Sequence, residues 1–178
     1  LVRKSIISFI LVSLGIIFFI AFSFRKVSKP VSSWKYGMIA IATLIHDIII
    51  PVGVFSILSH LYGTEVDTLF VVAILTILGL SVSDTIVVFD RIRENIRIGH
   101  FKTFEETIGK SLEQVYTRSI ATSSTVIIVL LALVFFGPSS TKVFAMMLTA
   151  GMFLGTYSSI FLASPLLVMF NNNLAKNK

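Results

Sequence analysis

The sequence predicts an all-α membrane protein, a bundle of five transmembrane helices forming one domain over residues 1–178. Hydrophobic residues make up 55% of the chain and charged residues 13%, the latter gathered in short stretches between five long apolar runs. Mean hydropathy is +0.93. A helix needs about 20 apolar residues to cross the hydrocarbon core, and each run reaches that length. Too little hydrophilic sequence remains between them for a separate soluble domain.

The first run, 5–24, follows Arg3 and Lys4 and is too long for the apolar core of a secretory signal. With more spans behind it and Leu1 in place of Met, we expect it to lie inside a longer protein of which this chain is a fragment. The second, 36–58, is preceded by Arg25, Lys26, Lys29 and Lys35; the third, 69–89, follows a segment without Lys or Arg that carries Glu65 and Asp67. Arg91, Arg93, Arg97, Lys102 and Lys110 lie between the third run and the fourth, 116–136. The fifth, 143–170, follows a short segment bordered only by Lys142 and leads to Lys176 and Lys178. Cytoplasmic segments carry the excess of Lys and Arg, so the first span is expected to start outside and the C-terminus to lie inside.

Between the third and fourth runs, Thr103 and Glu106 fit a capping box, and Phe104, Ile108, Leu112 and Val115 form an apolar stripe. These residues predict a short cytoplasmic amphipathic helix along the membrane face; a plain connector fits them equally well. Gly79 and Ser83 in the third run, and Gly151, Gly155 and Ser159 in the fifth, have the four-residue spacing of small side chains that lets helix backbones approach closely.

The net charge of +6 comes from basic residues beside the spans, where they set topology and contact anionic lipid, so no nucleic-acid partner is expected. The absence of cysteine excludes disulfides and thiolate metal sites. No metal-spaced cluster, Gly-rich phosphate loop or nucleophile elbow occurs, so neither catalytic residues nor a cofactor or metal is expected. The chain reads as a transport component rather than an enzyme.

Asp84 is the most informative residue. A short ionisable side chain in an apolar span is costly, and one that persists there marks an ion or proton path. Burial disfavours the charged form of a carboxylic acid and an approaching guanidinium favours it. An Asp84 that alternately meets and leaves Arg118, at the start of the fourth span, would therefore release and capture a proton. His46 and Asp47 in the second span are further relay or helix-contact candidates, and Ser83 and Thr85 flank the acid. Plainer readings stand beside these: His46 and Asp47 as hydrogen-bonding links between helices, and Arg118 as a side chain snorkelling to the headgroups. Ser81, Thr117, Ser119, Thr122, Ser123, Ser124 and Thr125 offer hydroxyls to water or to neighbouring helices. After Phe89 the run Asp90-Arg91-Ile92-Arg93-Glu94-Asn95 switches abruptly to charge, a cytoplasmic exit motif.

Gly79 to Asn95, read as Gly-Leu-Ser-Val-Ser-Asp-Thr-Ile-Val-Val-Phe-Asp-Arg-Ile-Arg-Glu-Asn, closely resembles the hallmark of the SecD/SecF family of protein-export membrane subunits, on its SecF side. Leu44-Ile45-His46-Asp47 and the stretch from Gly155 to Pro165 agree with it, in the right order on the right spans. The resemblance implies the resistance-nodulation-division (RND) superfamily fold, of which this chain would supply spans two to six, without the first span and the periplasmic domain. It further implies a proton-driven accessory of the Sec translocase in the bacterial inner membrane. The partners it implies are a SecD-like subunit, the SecYEG channel, the SecA motor, a YidC-like insertase, YajC and unfolded preprotein. Asp84 then matches the proton-carrying aspartate and Arg118 its arginine partner. Leu80, Ser83, Ser119 and Ala121 depart from the tyrosine, asparagine, threonine and asparagine usual there, which softens the local hydrogen-bond network. From the residues alone, an RND-type exporter of small molecules or lipids and a non-conducting translocase scaffold stay open as alternatives.

Overall fold

The computed structural model describes residues 33–63, 65–99 and 101–176, together with residues 7, 10, 11, 14, 15, 18, 19 and 22. Those last eight are helical, but the rest of the first expected span, 5–24, lies outside the described residues. Every regular element among the described residues is a helix: α1 (Ser33–Tyr62), α2 (Thr68–Ile98), α3 (Phe104–Phe136), α4 (Ser139–Ser158), a π-helical turn (Ser159–Ala163) and α5 (Ser164–Lys176). Four helical stretches are long and apolar enough to cross a membrane: Lys35–Leu61, Thr68–Ile98, Phe104–Phe136 and Ser139–Asn171.

The π turn joins α4 and α5 into one rod, and Pro165 explains its place. Proline has no N–H to offer the carbonyl four residues back, and its ring crowds that carbonyl. A one-residue widening just before it relieves the conflict. Pro51 inside α1 similarly leaves the main-chain carbonyl of Asp47 without its helical donor.

At one end of the bundle two helices run past the expected spans. Helix α2 does not end with the apolar run: it carries the exit motif in helical form to Ile98 and stops at Gly99, whose φ of 72° is the left-handed cap that glycine adopts without strain. Nor do Phe104, Ile108, Leu112 and Val115 form a separate helix on the membrane face. They are the first turns of α3, which begins at the Thr103 cap and runs unbroken for 33 residues, about 50 Å. No proline or capping residue pattern interrupts it, and the stripe packs on the core cluster around Phe89 and Ile92 instead of on lipid. Long extensions of α2 and α3 thus form a helical hairpin. Asn95 Nδ2 donates to Ser111 Oγ and to Gln114 Oε1, both at 2.8 Å, and Arg91 Nε donates to Gln114 Oε1 at 2.6 Å. The charged exit motif therefore serves in part as a clasp between two helices.

At the centre of the bundle α2 packs on α4, and both touch the flanking helices α1 and α3. The contact is close because α4 offers Gly151 and Gly155 to α2. A Cβ at Gly155 would sit 3.2 Å from the Cβ of Ser81, and one at Gly151 would overlap the Ile77 side chain. Gly79, by contrast, faces open space among the described residues, and Ser83 is exposed. Among the described residues the small-residue reading holds for the fifth run and not for the third. Apolar packing falls into two clusters, one around Tyr36, Phe89, Ile92 and Ile108 at the hairpin end and one around Phe55, Ile77, Leu130 and Met147 at the other. Outward-facing residues such as Ile128, Phe135 and Phe136 stay exposed, as they would against lipid tails.

Candidate functional site

Between the two apolar clusters lies a layer of polar side chains, one or more from each long helix. Asp47 on α1 is fully buried. Its Oδ2 accepts hydrogen bonds from Ser81 on α2 and, at 2.6 Å, from Ser158 on α4, while its Oδ1 lies 2.9 Å from Nδ1 of the half-buried His46. An unpartnered buried carboxylate would cost several kcal/mol; here three donors from three helices surround it. Asp47 is therefore a junction at which α1, α2 and α4 are held in register.

Asp84 sits near the middle of α2 and is partly buried. Thr156 Oγ1 on α4 donates to its Oδ2 at 3.1 Å. The next residue, Thr85, is buried and its hydroxyl lies 2.9 Å from that of Ser159, the first residue of the π turn. Ser123 on α3 completes the layer, its Oγ 2.5 Å from Thr156 Oγ1. The two acids thus share one polar layer, each bonded to hydroxyls that can both give and take a proton. Among the described residues, no group of three or more His, Cys, Asp or Glu side chains has the arrangement of a metal site.

Of the residues singled out in the sequence, Asp84, Asp47, His46 and Thr85 are brought to this layer. Arg118 is not: it is exposed on α3, and none of the ion pairs among the described residues joins it to Asp84. Ser83 points outward. Asp90, Arg93 and Glu94 lie with Arg97 around a shallow cavity at the hairpin, where Arg91 also pairs with Glu94 at 2.6 Å. Thr156 and Ser158, direct partners of the two acids, escape a reading by charge alone. Their signal was the hydroxyl-rich run Gly155-Thr156-Tyr157-Ser158-Ser159, in which only the glycine and serine spacing points to contact.

The family model described as protein export membrane protein SecD/SecF, C-terminal, matches residues 1–173. The chain belongs to the SecD/SecF family. It is 52% identical over 170 residues to the protein translocase subunit SecF of Thermobaculum terrenum, covering 96% of this chain and 53% of that one. With the protein translocase subunit SecDF of Thermus thermophilus it shares 37% identity over 171 residues, 96% of this chain and 22% of the relative. A crystal structure of SecDF in a super-membrane-facing form superposes with a TM-score of 0.78 at 35% identity, covering 90% of this chain and 20% of that one. The chain therefore spans about half the length of the SecF relative and a smaller part of the SecDF fusion. As a SecD/SecF-family member with four helical stretches long and apolar enough to cross a membrane, it is a multi-pass membrane protein, and the polar layer is the feature its family membership has to account for.

Proposed function

We propose that this chain is a transmembrane domain of a SecF-type accessory subunit of the Sec translocase, coupling the proton-motive force to preprotein export. Asp84 is the proton carrier and Arg118 its intermittent partner. The domain comprises five spans, with 5–24 as the first, in a longer subunit of the bacterial inner membrane whose C-terminus is cytoplasmic. It works beside a SecD-like subunit, with SecYEG, SecA, a YidC-like insertase and YajC as neighbours and unfolded preprotein as cargo. One observation carries the reading: Asp84 is an acid at mid-helix in an apolar span, held among the described residues by the Thr156 hydroxyl and by no ion pair. An acid so placed can change protonation without breaking a permanent ion pair. The fusion named SecDF supports the SecD-like partner, and the 52% identity to a SecF subunit favours export over small-molecule efflux.

The test is preprotein release from vesicles containing the complete translocase. A proton gradient should accelerate release, and omission of this subunit should remove the acceleration. A gradient effect that persists without it refutes the assignment.

Orientation has a separate expected outcome. A reporter fused after Lys178 reads cytoplasmic, and one inserted at Gly63 reads external, because Lys and Arg crowd the opposite side. Labelling of Gly63 from the cytoplasm overturns the topology.

A further inference from the structure

Asp84 is connected to α3 by a chain of single hydroxyls. Thr156 Oγ1 lies 3.1 Å from Asp84 Oδ2 and 2.5 Å from Ser123 Oγ, and Ser123 Oγ lies 2.8 Å from the main-chain carbonyl of Ser119. Thr156 is 6% exposed and Ser123 3%. Each hydroxyl has one proton to give, an ionised carboxylate and a carbonyl can only accept, and buried polar groups tolerate few unmade bonds. With Asp84 ionised, Thr156 donates to Asp84 and Ser123 donates to Thr156, so the Ser119 carbonyl keeps only its helical N–H. With a proton on Oδ2, Asp84 donates to Thr156, whose own proton then goes either to the Met152 carbonyl, 3.1 Å away, or to Ser123; in the second case Ser123 donates to the Ser119 carbonyl. A mixed setting, with Asp84 ionised and Ser123 still bonded to Ser119, leaves the 2.5 Å contact between Ser123 and Thr156 without a proton and two lone pairs facing each other.

We propose that Thr156 and Ser123 are positioning residues that carry the protonation state of Asp84 from α2 across α4 to the α3 backbone at Ser119, beside Arg118. The inference rests on Asp84 titrating, as proposed above. Its mechanical consequence follows from serine back-bonding: a hydroxyl that engages the carbonyl four residues earlier competes with the helical N–H and bends the helix. In the setting that passes the Thr156 proton to Ser123, protonation of Asp84 would therefore bend α3 next to the arginine, so that the state of the acid reaches Arg118 also while the two are apart. The groove of about 290 Å³ over Ser123 and Thr156 is lined by Ile120, Ile127, Phe153 and Ile160 among others and, among the described residues, by no charged side chain. Of the titratable groups around the layer, Asp47 and its neighbour His46 lie on α1 and Tyr157 on α4 beside Thr156; α3 contributes the exposed Arg118, and the single charged residue of α4, Lys142, lies 14 residues before Thr156.

Infrared difference spectra of the complete subunit in lipid nanodiscs, taken across pH, provide the test. The carboxyl band lost in Asp84→Asn belongs to Asp84. Thr156→Val removes the hydroxyl at nearly constant shape and should displace the midpoint of that band by about one pH unit, tenfold in proton affinity, the size of one hydrogen bond to a charged acceptor. Thr156→Ser should titrate as the parent does. Ser123→Ala should displace the midpoint by about threefold in affinity in the parent and not at all in the Thr156→Val background, because the chain is then already cut. An unmoved midpoint in Thr156→Val or Ser123→Ala, or an equal displacement in Thr156→Ser, overturns the hydroxyl chain while leaving Asp84 as the proton carrier. If the parent shows no titrating band assignable to Asp84, the proposed function falls and the chain with it.

Discussion

Asp84→Asn is expected to abolish the proton-stimulated part of preprotein export by the full-length complex while leaving assembly with its partner subunit intact. Asparagine matches aspartate in size, and its amide oxygen still accepts the hydrogen bond that Thr156 gives to Oδ2. What it cannot do is gain or lose a proton. Packing is preserved because Asp84 is only partly buried and its neighbours Val82, Thr85 and Val88, not the acid, fill the core. The measurement is preprotein release with and without an imposed proton gradient, alongside co-purification of the partner subunit. Gradient-dependent release close to the parent level would show that Asp84 is not the carrier and would move attention to Asp47 and His46.

The second large effect is structural. Gly151→Val should destabilise the bundle by about 3 kcal/mol, the upper end of the cost of overpacking a well-filled core. A Cβ at Gly151 falls on the Ile77 side chain, which is 1% exposed and has no space to retreat into. Because the clash is with β-branched carbons near the α2 backbone, a rotamer change cannot relieve it. Truncating the partner can: Ile77→Ala should cost less in a Gly151→Ala background than alone, because the added methyl fills part of the space that Ile77 vacates. Thermal unfolding in detergent checks both, and a Gly151→Val protein as stable as the parent would refute the close approach of α4 and α2.

Most of the membrane-spanning architecture was legible in the sequence, since hydrocarbon imposes a length and a polarity that any apolar run must meet. What stayed illegible depends on tertiary contact. The stripe from Phe104 to Val115 has the same period whether lipid or protein covers it, and only the position of Phe89 and Ile92 decides for protein. Likewise Asp90 to Asn95 reads as a change of solvent, yet the helix continues because Asn95 and Arg91 find Ser111 and Gln114 across the hairpin. At the site, the acids were conspicuous because charge in an apolar run is rare. Their partners Thr156 and Ser158 were not, because hydroxyls are common in packed membrane helices. The spacing of Gly79 and Ser83 matched that of Gly151 and Gly155, but spacing says nothing of which face a neighbour occupies.

The two interior prolines give the bundle an uneven stiffness. α2 and α3 contain no proline, so their main-chain ladders run without interruption and each should resist flexing along its length. α1, relaxed at Pro51, and the α4–α5 rod, widened at Ser159–Ala163, are the compliant members, and both weak points flank the level of Asp47 and Ser158. Strain imposed on the frame at either end should then collect at that level, with two rigid struts transmitting the load and two hinged ones yielding to it.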